Sequence, residues 1–594
     1  MSWLHSLLVS FFITHVTAIW PLPTSQSLGT SVLFIDRNVQ FNYAANGNQV
    51  HISSLRDTDF VQWLRSQFPQ TGGGYGRQAE RPDIVSTAID DTIETIFEQG
   101  FYPWRLRPRN TDFDPSPNGT AATIRTINLV QNASDPAEIG RAKLGDVDES
   151  YSLTVTESGQ VTISAASSVG ISYGLNTFTQ LFYLTASSRP YTPLAPVSIS
   201  DRPKFAHRGL NLDVARSYYT PADITRQINA LAYNKMNRLH LHITDSQSWP
   251  LEVPSLPLLS ERGRYSPGLT YSPSTLRDLQ TYGSLRGVQV YLEIDMPGHT
   301  GIVELAYPGL TVAWNVQPNW ADYALQPPSG SLKLASPEVD AFLDDLFADV
   351  LPRVSDFSGY WHFGGDEVLP SQYALEAAVN ATDRVTIRPF MQRFVDAQLE
   401  RIRARGLTPV VWQEMLLEWN LTLAEDVLVQ CWQSSEAILE TVQSGHRAIA
   451  GDSNNWYLDC GHGQFLDFYP GTSSQTYYPY ADYCSPRKNW RQIYAFDPLA
   501  GIPATLTSLV VGGEVHMWSE QTDGVDVDKK VWPRAAAAAE VLWSGPKDGE
   551  GRNRSQITAS PRLAEMRERL VARGVLAEPV QLPYCTQNGT QCAL

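Results

Sequence analysis

Basic clusters, cysteine pairs at metal-binding spacing and long apolar runs are what this 594-residue sequence has little of. Its 45 Lys and Arg stand against 62 Asp and Glu, a formal charge of −17, and no dense basic run interrupts that balance. A polyanionic partner would find no electrostatic footprint, which argues against nucleic acid or an anionic membrane surface and favours a neutral ligand. Beyond the first residues no stretch reaches the roughly 18 uninterrupted apolar positions of a membrane span. Five cysteines include no Cys-x-x-Cys, and the histidines form no His-x-x-x-His cluster, so zinc ligation lacks its spacing and no metal is expected. The absence of a Gly-x-Gly-x-x-Gly after the first strand of the main repeat removes the usual dinucleotide fingerprint.

What is present starts with Leu7-Leu-Val-Ser-Phe-Phe-Ile13, followed by Val16-Thr-Ala18, an apolar core with a small-residue ending that reads as a signal peptide over residues 1–18. Six Asn-x-Ser/Thr sequons, at Asn118, Asn132, Asn380, Asn420, Asn553 and Asn588, agree with export and glycosylation. The protein is therefore expected outside the cell, free or held at the cell wall. Cys585 and Cys592 close a short terminal loop and are expected to pair, as are Cys460 and Cys484, which flank a Gly/Tyr/Pro-rich segment. Cys431, inside the strand-like run Val427–Trp432, reads as a buried free thiol.

Two textures divide the rest. Over residues 19–200, Ile84, Ala88, Ile89, Ile93, Ile96 and Phe97 recur at helical spacing, whereas Tyr151–Val155 and Val161–Ile163 alternate as half-exposed strands, the mark of an α+β domain. The turn-rich segments Gly72–Gly76 and Pro103–Pro117 read as linker, exposed loop or a processed pro-segment ending before about residue 109. Residues 201–594 carry apolar strands alternating with amphipathic helices. Strands are expected near Gly209–Val214, Arg238–Thr244, Val288–Ile294, Tyr360–Gly364, Pro409–Trp412, Leu428–Trp432, Arg447–Ala450 and Val510–Val515. Thr220–Met236, Pro337–Val354, Pro389–Gly406 and Asp528–Trp543 are the helices expected between or after them. Eight such units imply an α/β fold, a TIM (β/α)8 barrel preceded by a smaller α+β domain.

In that fold chemistry sits where strands end. These runs end in Asp213 and Arg216, Asp245, Glu293 and Asp295 with His299, Asp366-Glu367, Trp412 and Glu414, Trp432, Tyr457 and Asp459, and Trp518 with Glu520. Carboxylates and Trp on one face suit a sugar-hydrolysing site better than a phosphate site, which would need Gly-rich loops and helix N-termini. Two adjacent carboxylates fit ordinary glycosidase chemistry poorly. Consecutive extended residues point in opposite directions, so Asp366 and Glu367 are not expected to bracket one ring.

Trp361-His-Phe-Gly-Gly-Asp-Glu367 resembles the signature of glycoside hydrolase family 20, the β-N-acetylhexosaminidases. The similarity continues through His207–Arg216, Asn237–Asp245 with Gln247–Pro250, Glu293–His299, Trp532–Ala536 and Glu540–Trp543, while Asp459-Cys460 and Cys484–Tyr494 look like the secreted filamentous-fungal branch. Departures are Leu241 between His240 and His242, where the family often has Trp, and Val214-Ala215 before Arg216. The resemblance implies hydrolysis of terminal N-acetylhexosamines from chitooligosaccharides or glycoconjugates, without a cofactor, with the substrate's acetamide as nucleophile. It implies Glu367 as general acid, Asp366 at the acetamide nitrogen and Tyr457 at its oxygen. Trp412, Trp432 and Trp518 would wall the sugar, and Arg216, Asp459 and Glu520 would grip its hydroxyls, the last two near O4 and O6. Asp245 and His299 would stand behind the acid, with His240 and His242 structural. Tyr483, beside Cys484, is expected to stack on the aglycone sugar. A homodimer follows only from the resemblance, and a cleaved pro-segment would stay associated. Rival readings are a β-glycosidase using Glu414 or Glu520 as nucleophile, and an inactive glycan-binding protein on the same scaffold.

Overall fold

The alternation seen in Tyr151–Val155 becomes a strand with every second residue buried, one of seven in an N-terminal sheet. The computed structural model describes residues 19–50, 83–115, 121–467, 480–588 and 591–592; the leader, Gly72–Gly76 and Asn118 lie outside them. The sheet is built from β1 (Ser25–Ala45), β2 (Asn48–Val50), β3 (Thr123–Gln131), β4 (Tyr151–Val155), β5 (Gln160–Ala165), β6 (Tyr183–Leu184) and β7 (Pro190–Asp201), in the order β2-β1-β3-β5-β4-β7-β6. The first part of β1 pairs antiparallel with β7 and the second part parallel with β3. Helices Ile84–Phe97 and Ser168–Thr179, capped by Asp83 and Ser167, bury their apolar faces in one cluster with this sheet.

A buried ion pair joins this sheet to the rest. Asp201, ending β7, accepts from Lys235 Nζ at 2.9 Å, Tyr151 Oη at 2.7 Å and Trp543 Nε1 at 2.9 Å, and both charges are fully enclosed. A pair so buried is strongly destabilising to break from one side, so it holds one arrangement of the two layers.

The main body is a closed barrel of eight parallel strands in chain order: β8 (His207–Asp213), β9 (Arg238–Thr244), β10 (Gln289–Ile294), β13 (Tyr360–His362), β14 (Thr408–Trp412), β15 (Leu428–Cys431), β16 (Arg447–Ala450) and β17 (Val510–Met517). A short antiparallel pair, β11 (Thr311–Val312) and β12 (Ser331–Leu332), interrupts the repeat and forms the stem of a long loop. Along β9, Leu239, Leu241 and Ile243 join the cluster under the helices, so His240 and His242 take the lumen by alternation. Tyr291, Tyr360, Val410, Leu428 and Ile449 form a separate apolar cluster. A polar group follows one pleat period along the same strands: Glu293 follows Tyr291, His362 follows Tyr360, Trp412 follows Val410 and Gln430 follows Leu428.

The helix boundaries differ from expectation at two prolines. Arg384–Ala404 starts five residues before Pro389, because Asp383 caps it by accepting from the Thr386 amide. The stretch expected as one helix, Asp528–Trp543, is two, Val527–Val531 and Arg534–Ser544. They part at Trp532-Pro533, where proline cannot donate to the ladder.

Candidate active site

Strand β13 stops at His362 because the chain turns left-handed. Gly364 has φ +82° and Gly365 +104°, and neither site has room for a side chain. A Cβ on Gly364 would lie 1.9 Å from Asp295 Oδ1, and one on Gly365 2.7 Å from Met415 Cγ. The Gly365 amide donates to Asp295 Oδ1 at 2.7 Å, and Glu367 is itself left-handed at φ +52°. These turns cancel the alternation of an extended chain. Asp366 Oδ1 and Glu367 Oε2 both lie beside His299 Nε2, at 3.7 and 3.5 Å, so the expectation of opposed side chains does not hold.

His299 begins a line of charge that runs into the barrel. Its Nδ1 lies 3.2 Å from Asp245 Oδ1; Asp245 Oδ2 is 2.7 Å from His242 Nε2, and His242 Nδ1 is 2.6 Å from Glu293 Oε2. Burial opposes charge on His242, but Glu293 and Asp245 outweigh it and push its pKa up to about 10. His299 is likewise raised well above the usual imidazole value against burial, by Asp245, Asp366 and Asp295. Burial would raise Asp245, but Arg216, His299 and His242 hold it far below the carboxylate range. Asp295 goes the other way: burial and the facing Asp366 raise it well above the usual carboxylate value.

Arg216 Nη2 reaches Asp245 at 2.9 Å and Nη1 reaches Asp213 at 3.4 Å, with the guanidinium over Trp518 at 5.3 Å. An aromatic wall faces it. Trp412, Tyr457 and Trp518 pack with the Cys460–Cys484 disulfide in one buried cluster, with Trp432 against it and stacked on Tyr457 at 6.1 Å. Burial, and then the carboxylates of Asp459, Asp366 and Glu367, raise Tyr457 well above the usual phenol value, so it stays a neutral donor. Asp459 and Glu520 are both raised, by burial first; Glu520 also raises Asp459, and Asp213 raises Glu520. Glu414 is enclosed, accepts from Trp432 Nε1 at 2.8 Å, and is raised by burial and by Asp366. Tyr483 stands half-exposed with its ring edge-on to Tyr457 at 6.5 Å.

All the expected site residues thus gather at one end of the barrel. Glu293, read from the sequence only as a strand-end carboxylate, and Gln326 had no role assigned from the sequence. Glu293, present in a quoted motif, serves both the His242 line and Trp412, whose Nε1 donates to it at 2.6 Å. Gln326, on the loop between β11 and β12, donates to Glu520 at 2.7 Å; no local pattern marks it in the sequence.

Three clusters among the described residues bring donor atoms together as a metal ion would need, His240–Glu293–His362, Asp295–His299–Asp366 and Asp459–Cys460–Cys484, and the two sulfurs of the last are joined in a disulfide. In the first, His362 Nδ1 accepts from the Gly364 amide at 2.9 Å, and the two Glu293 oxygens already accept from Trp412 Nε1 and His242 Nδ1. The second pair of disulfide cysteines, Cys585 and Cys592, closes the terminal loop, and the Cys431 thiol turns to Thr441 Oγ1 at 3.3 Å, away from the lumen.

Residues 205–546 match the family model described as glycosyl hydrolase family 20, catalytic domain, and residues 19–181 match one described as beta-acetyl hexosaminidase like. A beta-hexosaminidase of Arthroderma benhamiae is 41% identical over 597 residues, covering 98% of each chain. A chitooligosaccharidolytic beta-N-acetylglucosaminidase of Ostrinia furnacalis is 34% identical over 80% of this chain and 79% of its own. Among solved structures, the family 20 exo beta-N-acetylglucosaminidase of Vibrio harveyi superposes with a TM-score of 0.70 at 20% identity, covering 96% of this chain and 79% of its own. That likeness bears on the fold.

Proposed function

From the premise that this chain belongs to glycosyl hydrolase family 20 and is a β-hexosaminidase, which releases terminal non-reducing N-acetylhexosamines with retention through a cyclic oxazolinium, we propose which residues perform each step. The observation that carries the proposal is the placing of Asp366 and Glu367 on one side, beside His299 Nε2. With both facing one site, Glu367 gives its proton to the departing glycosidic oxygen while the substrate's acetamide oxygen bonds to C1. Asp366 faces the acetamide N–H and offsets the positive charge that develops there, a field set in place before reaction. Tyr457 donates to the acetamide oxygen. Water then attacks C1 from the side the aglycone left, giving its proton to the Glu367 carboxylate, and the ring opens to the acetamide. Trp412, Trp432 and Trp518 enclose the sugar, Arg216, Asp459 and Glu520 take its hydroxyls, Tyr483 stacks on the aglycone, and Asp245 with His299 orients Glu367.

A carboxylate nucleophile is disfavoured at Glu414, since a carboxyl raised by burial and already accepting from Trp432 is a poor nucleophile. The test is binding of a thiazoline mimic of the cyclic intermediate. It should bind orders of magnitude more tightly than the product sugar, and Asp366→Asn should abolish most of that gain. Equal affinities would refute the assignment.

The same proposal includes export after removal of residues 1–18, processing before about residue 109 with the released piece staying bound, glycosylation and a homodimer. Asn132, Asn380, Asn420 and Asn553 are exposed and Asn588 is partly so, which supports sugar attachment. Chitooligosaccharides as well as glycoconjugates are proposed substrates. Terminal sequencing and mass measurement before and after deglycosylation, on protein recovered from the medium, test the processing scheme.

A further inference from the structure

The loop spanning residues 313–330 reaches the site with Gln326. It springs from the β11/β12 stem, and Gln247 Nε2 pins it by donating to the Pro327 carbonyl at 2.9 Å. Gln247 Oε1 in turn accepts from Arg216 Nε at 3.1 Å. Next along the loop, half-buried Gln326 lies between the two charged groups assigned to the sugar hydroxyls. Its Nε2 donates to Glu520 Oε1 at 2.7 Å, and its Oε1 faces Arg216 Nη2 at 3.4 Å. A carboxylate on one side and a guanidinium on the other fix which end of the amide points where, because only the NH2 can donate and only the oxygen can accept.

We propose that Gln326 is a positioning residue for specificity at C4: by holding Glu520 and Arg216 in one fixed arrangement, it makes the site discriminate between equatorial and axial C4 hydroxyls. Glu520 Oε1 is engaged by the amide, which leaves Oε2 as the acceptor presented to the sugar. A carboxylate tied at one oxygen cannot swing to follow a hydroxyl that moves from equatorial to axial. Neither Glu520 nor Arg216 is assigned to the aglycone or the acetamide, so the main effect falls on recognition of the sugar's far edge. The inference rests on the proposed role of Arg216 and Glu520.

The experiment compares kcat and KM for 4-nitrophenyl 2-acetamido glycosides of gluco and galacto configuration with the wild type, Gln326→Ala, Gln326→Glu and Glu520→Gln, each checked for thermal midpoint. Gln326→Ala removes a hydrogen bond to a charged group and should bring the ratio of kcat/KM between the epimers about tenfold closer to one, through KM, with kcat for the better epimer within about twofold. Gln326→Glu sets a second carboxylate against Glu520 and should raise KM for both epimers. A wild type that treats the epimers alike, or a folded Gln326→Ala that keeps the wild-type ratio, would overturn the inference. Glu520→Gln separates the two failures. If it shifts KM while Gln326→Ala does nothing, only the Gln326 role falls; if it leaves KM for both epimers untouched, the hydroxyl-grip reading falls and this inference with it.

Discussion

Trp412 and His242 meet on a single carboxylate: Glu293 Oε1 accepts from the indole Nε1 and Oε2 from the imidazole Nδ1, each at 2.6 Å. The aromatic wall and the charge line behind the acid therefore share one buried anchor. Glu293→Gln can accept from one partner only and turns its NH2 towards the other. Removing one partner from a buried charged network costs about 3–5 kcal/mol, so the variant should lose about that much in urea unfolding. A loss under about 1 kcal/mol would show that the anchor is not needed.

The raised histidines make stability depend on pH with a definite sign. His242, at about 10 when folded against an ordinary 6.5, contributes fully below 6.5, and that contribution is lost as pH rises through about 10. His299 acts in the same direction. Asp245, held low, contributes above the ordinary carboxylate value and loses its contribution as pH falls through its folded value. Unfolding free energy should hence decline on the alkaline side of neutrality, and His242→Asn should flatten that decline. An unchanged alkaline slope, measured as urea midpoint against pH, would count against the charge line.

Tyr483 offers an exposed ring beside Tyr457, on a loop held by Cys460–Cys484. Tyr483→Ala should raise KM for chitobiose several-fold, since loss of an aromatic platform costs about 0.5–1.5 kcal/mol, while a small aryl glycoside is less affected. Equal effects on the two substrates would assign Tyr483 to packing.

Cys431 is enclosed and its thiol is pushed up to about 12, by burial first. A thiol held protonated and out of solvent is inert. Ellman's reagent should find no reactive thiol in the native protein and one after denaturation without reductant. Rapid native labelling would contradict the burial.

The barrel was legible because its strands are short apolar runs with polar ends, and Arg238–Thr244 and Arg447–Ala450 have the boundaries read from the sequence. The two disulfides followed from position along the chain. Where local periodicity failed, a tertiary or cap effect had overridden it. Asp383 starts a helix that Pro389 would seem to begin, and Pro533 splits one that the apolar spacing joins. The side shared by Asp366 and Glu367 could not be read from alternation, since it depends on positive φ at Gly364, Gly365 and Glu367. Gln326 was invisible because its partners, Arg216 and Glu520, are 110 and 194 residues away.

The substrate supplies its own nucleophile, and kcat/KM for an aryl 2-acetamido glycoside against its 2-hydroxy counterpart tests this. Well-oriented intramolecular groups reach effective molarities of roughly 10⁵–10⁸ M, so losing the acetamide should lower the rate by several orders of magnitude, and no sugar should remain attached to the protein. Brisk hydrolysis of the 2-hydroxy glycoside, with a sugar ester on Glu414 or Glu520 in the intact mass after a 2-fluoro trap, would contradict the account.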